Sequence, residues 1–422
     1  MNVSQGAKVP AKLRIYSGWI WILLIMVLSS CQAQSTPMPE QTKQISLLVS
    51  LDAPAFIKRD GWKDYQPVGF GAIIYPTDLL KTDGEIKLLC ADRQTVKTFT
   101  KIGRNPCPLS TSNRVLNYGE MFFISGSRGA PPSTIPYILY PRNTTILETR
   151  PVLRWNDTKS SNYTVEIWQG SDIVWQQDNV STSEFTYPAT APELQPGKDY
   201  LLVVQDNDTG ESSNADPNKG LGFQVVNLQQ RTELENEQKT IQGVDGLDTS
   251  AQEMALALYF YQIQINGRGL WGNAEDLFTE ALQLQPESPA LHLRLGDSLA
   301  KMKLWSEAKA EYEIALSLAQ SLADLESQAD ALVALWQITG DQADFDQAVS
   351  LYNQIGAKYN AETLKSTRVG LPTPTSISEN DPICGSGLLI VPFLIIGERL
   401  RSRNNKLKNN KKLRLTKEFW NH

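Results

Sequence analysis

WGNAEDLFTEALQLQP at residues 271–286 and WSEAKAEYEIALSLAQ at residues 305–320 are two copies of one pattern. Ala274, Phe278, Ala281 and Pro286 of the first are matched by Ala308, Tyr312, Ala315 and Gln320 of the second, an offset of 34 residues. Upstream in the same frame, Tyr261 and Ile265 correspond to Leu295 and Leu299, while Gly296 marks a close-packed position that the first copy fills with Gln262. The residue types explain each other. Apolar positions three or four apart make one face of a helix. Small Ala274 and Ala308 let a second helix approach a first, Phe278 and Tyr312 fill the space between neighbouring pairs, and Pro286 stops the helix before the next copy begins.

This pattern resembles the tetratricopeptide repeat, whose period is about 34 residues. A third, weaker copy follows: Leu332, Trp336 and Gly340 fit its first helix and turn, and Ala348 and Tyr352 its second. That alignment requires about three inserted residues between the copies and three more in the turn, a departure of the kind a terminal, capping repeat shows. The repeats are expected over residues 251–362. A single helical pair cannot bury its apolar face, so stacking creates both the core and a concave surface. In the family the first helix of each repeat lines that surface. Carried over by position, the resemblance implies a partner-binding groove of Tyr259, Ile263 and Asn266, then Leu293, Asp297 and Ala300, then Asp330, Ala334 and Gln337. Each of these reads equally as a packing or solvated residue. His292 falls where the family places a packed aromatic, which is a plainer reading than a metal ligand.

Before the repeats lie two β-rich stretches. In residues 45–128 short apolar runs alternate with turn signals: Ile45 to Val49, Gly69 to Tyr75, Glu85 to Cys90 and Met121 to Ile124, the pattern of a small all-β domain. Ala55 to Trp62, then Val68-Gly69, then Asp78 to Gly84 resembles the FecR-like domain of bacterial envelope proteins. Residues 136–227 form a second unit, in which Pro151 to Trp155 and Tyr163 to Trp168 approach the period-two alternation of half-buried strands. A tryptophan on an early strand, Trp155, and a tyrosine after a Pro-Gly turn, Tyr200 following Pro196-Gly197, resemble the immunoglobulin or fibronectin type III sandwich, where both belong to the core. The expected fold class is therefore multidomain: two small all-β domains followed by an all-α repeat domain. Residues 228–250 and 363–382 read as linkers.

The two ends carry targeting signals. Residues 1–30 read as a signal peptide, with a basic start and an apolar run from Trp19 to Leu28. Leu28-Ser29-Ser30-Cys31 resembles a bacterial lipobox, which implies lipid attachment at Cys31 and a polar tether over residues 31–44. A plain signal peptide or an uncleaved anchor is the competing reading. Residues 383–397 form a short hydrophobic segment interrupted by Pro392, and residues 398–422 a tail with nine Lys or Arg. This layout resembles bacterial sorting signals and is equally compatible with a short tail anchor. Export exposes Cys90 and Cys107 to an oxidising compartment, where a disulfide or a buried free Cys90 is expected.

Residues 31–398 hold 28 Lys and Arg against 45 Asp and Glu, which argues against nucleic acid as a partner. His292 and His422 are the only histidines, and no CxxC spacing occurs among the four cysteines, so most acid-base, zinc and redox chemistries lack their usual residues. The sequence reads as a non-enzymatic scaffold of the bacterial cell envelope, membrane-anchored and without a cofactor, that holds a protein partner through its repeats. A FecR-like transmembrane signalling regulator, or a polysaccharide-acting enzyme with paired carboxylates, is the alternative.

Overall fold

In the computed structural model, residues 44–110, 131–218 and 220–369 are described. The expected signal peptide, Cys31 and its tether up to residue 43, the strand Met121 to Ile124, the hydrophobic segment 383–397 and the basic tail lie outside them. A β-rich N-terminal region is followed by an all-helical region of eight described helices. The described residues up to Arg368 belong to one compact unit.

The first β unit is built from β1 (Ser46–Leu51), β2 (Ala55–Lys58), β3 (Gln66–Val68), β4 (Ile73–Ile74), β5 (Leu79–Thr82), β6 (Ile86–Leu89), β7 (Val96–Phe99) and β8 (Ile102–Arg104). They form two four-stranded sheets, ordered β4-β1-β6-β7 and β3-β2-β5-β8. Cys90 and Cys107, 17 residues apart, are joined by a disulfide. The apolar run from Gly69 to Tyr75 holds a turn at Phe70-Gly71 followed by only the two-residue strand β4. Gly71 has φ +83°, and a Cβ there would come within 2.7 Å of Met254. Only glycine lets this turn approach the helices so closely.

The second unit contains β9 (Ile138–Tyr140), β10 (Thr145–Ile146), β11 (Val152–Trp155), β12 (Tyr163–Gln169), β13 (Asp172–Val180), β14 (Glu184–Thr186), β15 (Asp199–Asp206) and β16 (Phe223–Val225). A five-stranded sheet, β10-β16-β15-β12-β13, lies with a three-stranded one, β14-β11-β9. Trp155 and Tyr163 are buried and meet edge to face, 5.4 Å between centroids. Tyr200 is buried, and its hydroxyl accepts from the Gln195 N–H at 2.8 Å, tying the strand to the preceding turn.

The helices are α1 (Leu228–Gln242), α2 (Thr249–Gln262), α3 (Trp271–Leu284), α4 (Pro289–Lys301), α5 (Trp305–Leu322), α6 (Leu325–Thr339), α7 (Gln342–Ile355) and α8 (Lys358–Val369). From α2 to α7 each packs against the next, which stacks three successive pairs. Ala274, Ala308 and Ala348 are fully buried at the close approaches. A Cβ on Gly296 would lie 2.5 Å from the Tyr312 ring.

Four details differ from the sequence reading. The supposed linker 228–250 contains α1, started by a capping box between Asn227 and Gln230. The supposed linker 363–382 is helical as far as Val369. The extra length of the third copy is absorbed inside helices, since α5 has 18 residues against 14 in α3 and α6 has 15 against 13 in α4. Finally, α2 stops at Gln262, and the chain makes a two-stranded hairpin, β17 (Gln264–Ile265) with β18 (Arg268–Gly269), before α3. Asn266 and Gly267 at its tip both have positive φ, 53° and 81°, the chemistry of a tight hairpin turn.

Candidate functional site

The faces of α2, α4 and α6 carry the positions expected to line a groove, and the structure divides them. On α4, Leu293 and Ala300 are buried in the main hydrophobic core, so they pack the repeat rather than face a partner. Asp297 between them is partly open. It accepts from Arg294 Nη1 at 2.6 Å and from the Tyr312 hydroxyl at 2.9 Å. On α6, Asp330 is half-buried and accepts from the Tyr352 hydroxyl at 2.6 Å, Ala334 is half-buried, and Gln337 is buried. The same device therefore occurs twice: an aspartate on the first helix of a pair receives a hydroxyl from a tyrosine on the second.

The α2 positions behave differently. Tyr259 lies half-buried beneath the Arg93 guanidinium, 4.8 Å from its ring centroid. Ile263 is the C-cap of α2, its N–H donating to the Tyr259 carbonyl. Asn266 sits at the hairpin tip, outside the helix, and its Nδ2 donates to Gln224 Oε1 at 3.0 Å. The repeat frame carried a helix through Asn266-Gly267, where the turn chemistry ends it.

Three charged residues not among the expected positions lie in the same neighbourhood. Arg59, from the β2–β3 connection, reaches Glu326 on α6 at 2.6 Å and lies 3.7 Å from Asp78. Its guanidinium also stacks over Tyr75, 4.4 Å from the ring centroid. Arg294 completes the row. Burial raises the Asp330 pKa against the hydrogen bond from Tyr352 and the charges of Arg294 and Arg59, so these groups share one electrostatic neighbourhood. Burial likewise pushes Asp78 up to about 6, opposed by Arg59, and Asp324 up to about 6, opposed by its hydrogen bonds with Ser327. Glu326 is raised well above the ordinary carboxylate range by burial, again opposed by Arg59. Burial raises Asp297 as well. No local sequence pattern links Arg59 to α6, because 267 positions separate Arg59 from Glu326.

Both β units brace the helices, and each reaches a different set of helix ends. The first touches the ends where one pair passes to the next: Ser288 Oγ donates to the Phe70 carbonyl at 2.7 Å, and the Lys63 N–H donates to the Ile355 carbonyl at 2.9 Å. Arg93 also pairs with buried Glu237 of α1 at 2.7 Å. The second touches the turns within pairs. Fully buried Arg142 donates to the Met302 carbonyl at 2.8 Å, to the Lys303 carbonyl at 3.3 Å and to Asp216 at 2.7 Å. Asn143 donates to the Lys301 carbonyl at 2.7 Å. These are the carbonyls a helix leaves unpaired at its C-terminus, where a cation is also favoured by the helix dipole. Arg154 joins Glu275 and Asp276 of α3, each at 2.9 Å.

His292 lies between Glu311 Oε2, 2.7 Å from Nδ1, and the Pro286 carbonyl, 3.1 Å from Nε2. Among the described residues no three His, Cys, Asp or Glu side chains converge to hold a metal ion, and no helix is long and apolar enough to cross a membrane. Neither a family profile nor a curated protein matches the chain.

Proposed function

We propose that this protein is a non-enzymatic adaptor of the bacterial envelope, in which stacked tetratricopeptide-type pairs hold a protein partner. The first β unit is read as a FecR-like domain and the second as an immunoglobulin or fibronectin-like sandwich. The supporting observation is the row formed by Arg294 and Asp297 on α4 with Asp330 on α6, flanked by Arg59 and Glu326. These groups are polar, partly accessible and held in place by ion pairs and tyrosine hydroxyls, so little side-chain freedom remains to be lost on binding. The first β unit packs along α1 and α2 and at the junctions between pairs, and the second at the turns within pairs, an arrangement that would stiffen the stack. Membrane attachment through Cys31, or through the C-terminal segment, would place this face outside the cytoplasm.

Affinity capture from envelope extract with the full chain tests the reading. A partner should be enriched, and the double variant Arg294→Ala/Asp297→Ala should lose it while retaining the helical circular-dichroism signal. Capture that is unchanged by the variant, or no enriched protein at all, would reject the adaptor. Intact mass of the mature protein tests anchoring, because diacylation at Cys31 and removal of the leader alter it together.

A further inference from the structure

The outer edge of the second β unit is a separate surface. The edges formed by β9 and β10 face the helices: Thr144 Oγ1 accepts from the Gly272 N–H at 3.1 Å, and a Cβ on Gly272 would collide with the Tyr140 ring. The opposite edge of the five-stranded sheet is β13, nine residues long, which among the described residues pairs only with β12. In an antiparallel pair alternate backbone N–H and C=O groups point away from the partner strand, so β13 offers a row of them outward.

The side chains beside this edge specify what would suit it. Trp168 of β12 lies opposite Leu201 of β15 on one side and Ile173 of β13 on the other, giving an apolar row that runs to the edge, and Leu201 and Ile173 are exposed. Further along β13, exposed Asp178 accepts from Thr164 at 3.1 Å and from Gln176 at 2.9 Å. Asp172 and Asp178 are the charges on β13, with Glu166 on β12 and Glu184 on β14. From Asp157 to Tyr187 there are five carboxylates and one base, Lys159, which is itself paired with Asp157 at 2.8 Å. A second copy of this edge would bring carboxylates toward carboxylates, which disfavours self-pairing.

The geometry points to β13 as a docking edge for an extended, basic segment of a partner protein, added as a sixth strand, with an apolar side chain beside Ile173 and a lysine or arginine beside Asp178. Main-chain hydrogen bonds would supply affinity, and the alternating side chains specificity. This inference does not depend on the helical face.

The test uses the full chain with a ten-residue peptide of alternating lysine and valine or threonine, and with its glutamate counterpart. Residue-resolved hydrogen exchange should show the alternate amides of 172–180 that point away from β12 unprotected in the free protein and at least tenfold slower with the basic peptide. By fluorescence anisotropy the Asp172→Lys/Asp178→Lys and Ile173→Lys variants, all at exposed positions, should each bind it at least tenfold more weakly, and charge reversal should favour the glutamate peptide. Arg294→Ala/Asp297→Ala should bind as the parent does. Protection of those outward-pointing amides before peptide is added would show the edge already covered and overturn the proposal. So would equal affinity for the two peptides, loss of binding in the helical-face variant, or a solution dimer abolished by Ile173→Lys, which would assign the edge to a second copy.

Discussion

Arg142 shows how far a single side chain can depart from its local appearance. In Tyr140-Pro141-Arg142-Asn143 it reads as a surface turn residue, yet it is fully buried and its guanidinium joins β9, Asp216 and the end of α4. A buried charge is tolerated only when paired, and removing one partner strands the other in a medium that solvates it poorly. Arg142→Met should therefore destabilise the protein by about 3–5 kcal/mol in urea denaturation. Adding Asp216→Asn should cost less than the sum of the two single changes. An additive double variant would mean that the pair is not coupled. Cys90 and Cys107 are more legible in the sequence, as the two cysteines within one expected domain, and the structure has the bond rather than the free thiol.

Elements were legible where apolar periodicity was dense and opaque where polar contacts replaced it. The copies at 271–286 and 305–320 declared α3 and α5 through Ala274, Phe278, Ala308 and Tyr312, all of which are buried. In α1 the inward side has Leu234 and Ile241 with Glu237 between them, and Glu237 is buried only because Arg93 arrives from the first β unit. Such a stripe looks like a linker until its ion pair is known, although the Asn227 and Gln230 capping box was readable. The hairpin after α2 was also readable in Asn266-Gly267, but the repeat frame overrode it. A Cβ on Gly267 would meet nothing within 4 Å, so Gly267→Ala tests backbone conformation alone. At φ +81° it should cost about 1 kcal/mol or more, measured by thermal or urea unfolding. An unchanged stability would imply that the turn relaxes to another form.

For the whole molecule, the interfaces between β units and helices concentrate buried carboxylates. Asp78 and Asp324, near Arg59, are raised to about 6, and Glu275, beside Arg154, to about 7, in each case by burial opposed by a charge or hydrogen bonds. A carboxyl with a raised folded pKa takes up its proton in the native state while the unfolded chain is still ionised. Its ionisation at high pH therefore costs stability, and acidification recovers it. Unfolding temperature should rise as pH falls from 8 to 5, most steeply between about 7 and 5. Below the ordinary carboxylate range the trend should reverse, as Asp157, Asp206 and Asp208, whose hydrogen bonds lower their pKa values, become protonated. A flat or falling profile from pH 8 to 5 would contradict the burial of these groups. Asp78→Asn should flatten the rise.

By itself the sequence determined the order of β-rich and helical regions, the 34-residue frame and packed positions such as Trp155, Tyr200, Ala274, Phe278, Ala308 and Tyr312, because these follow from periodicity and turn chemistry over short spans. Only the tertiary structure decided which of the expected positions are buried, that Arg59 and Arg294 lie near Asp297 and Asp330, and that both β units pack against the helices. Those outcomes depend on pairings such as Arg59 with Glu326 and Arg142 with the end of α4. Their energies come from burial and charge brought together across well over a hundred residues, and no local pattern encodes them.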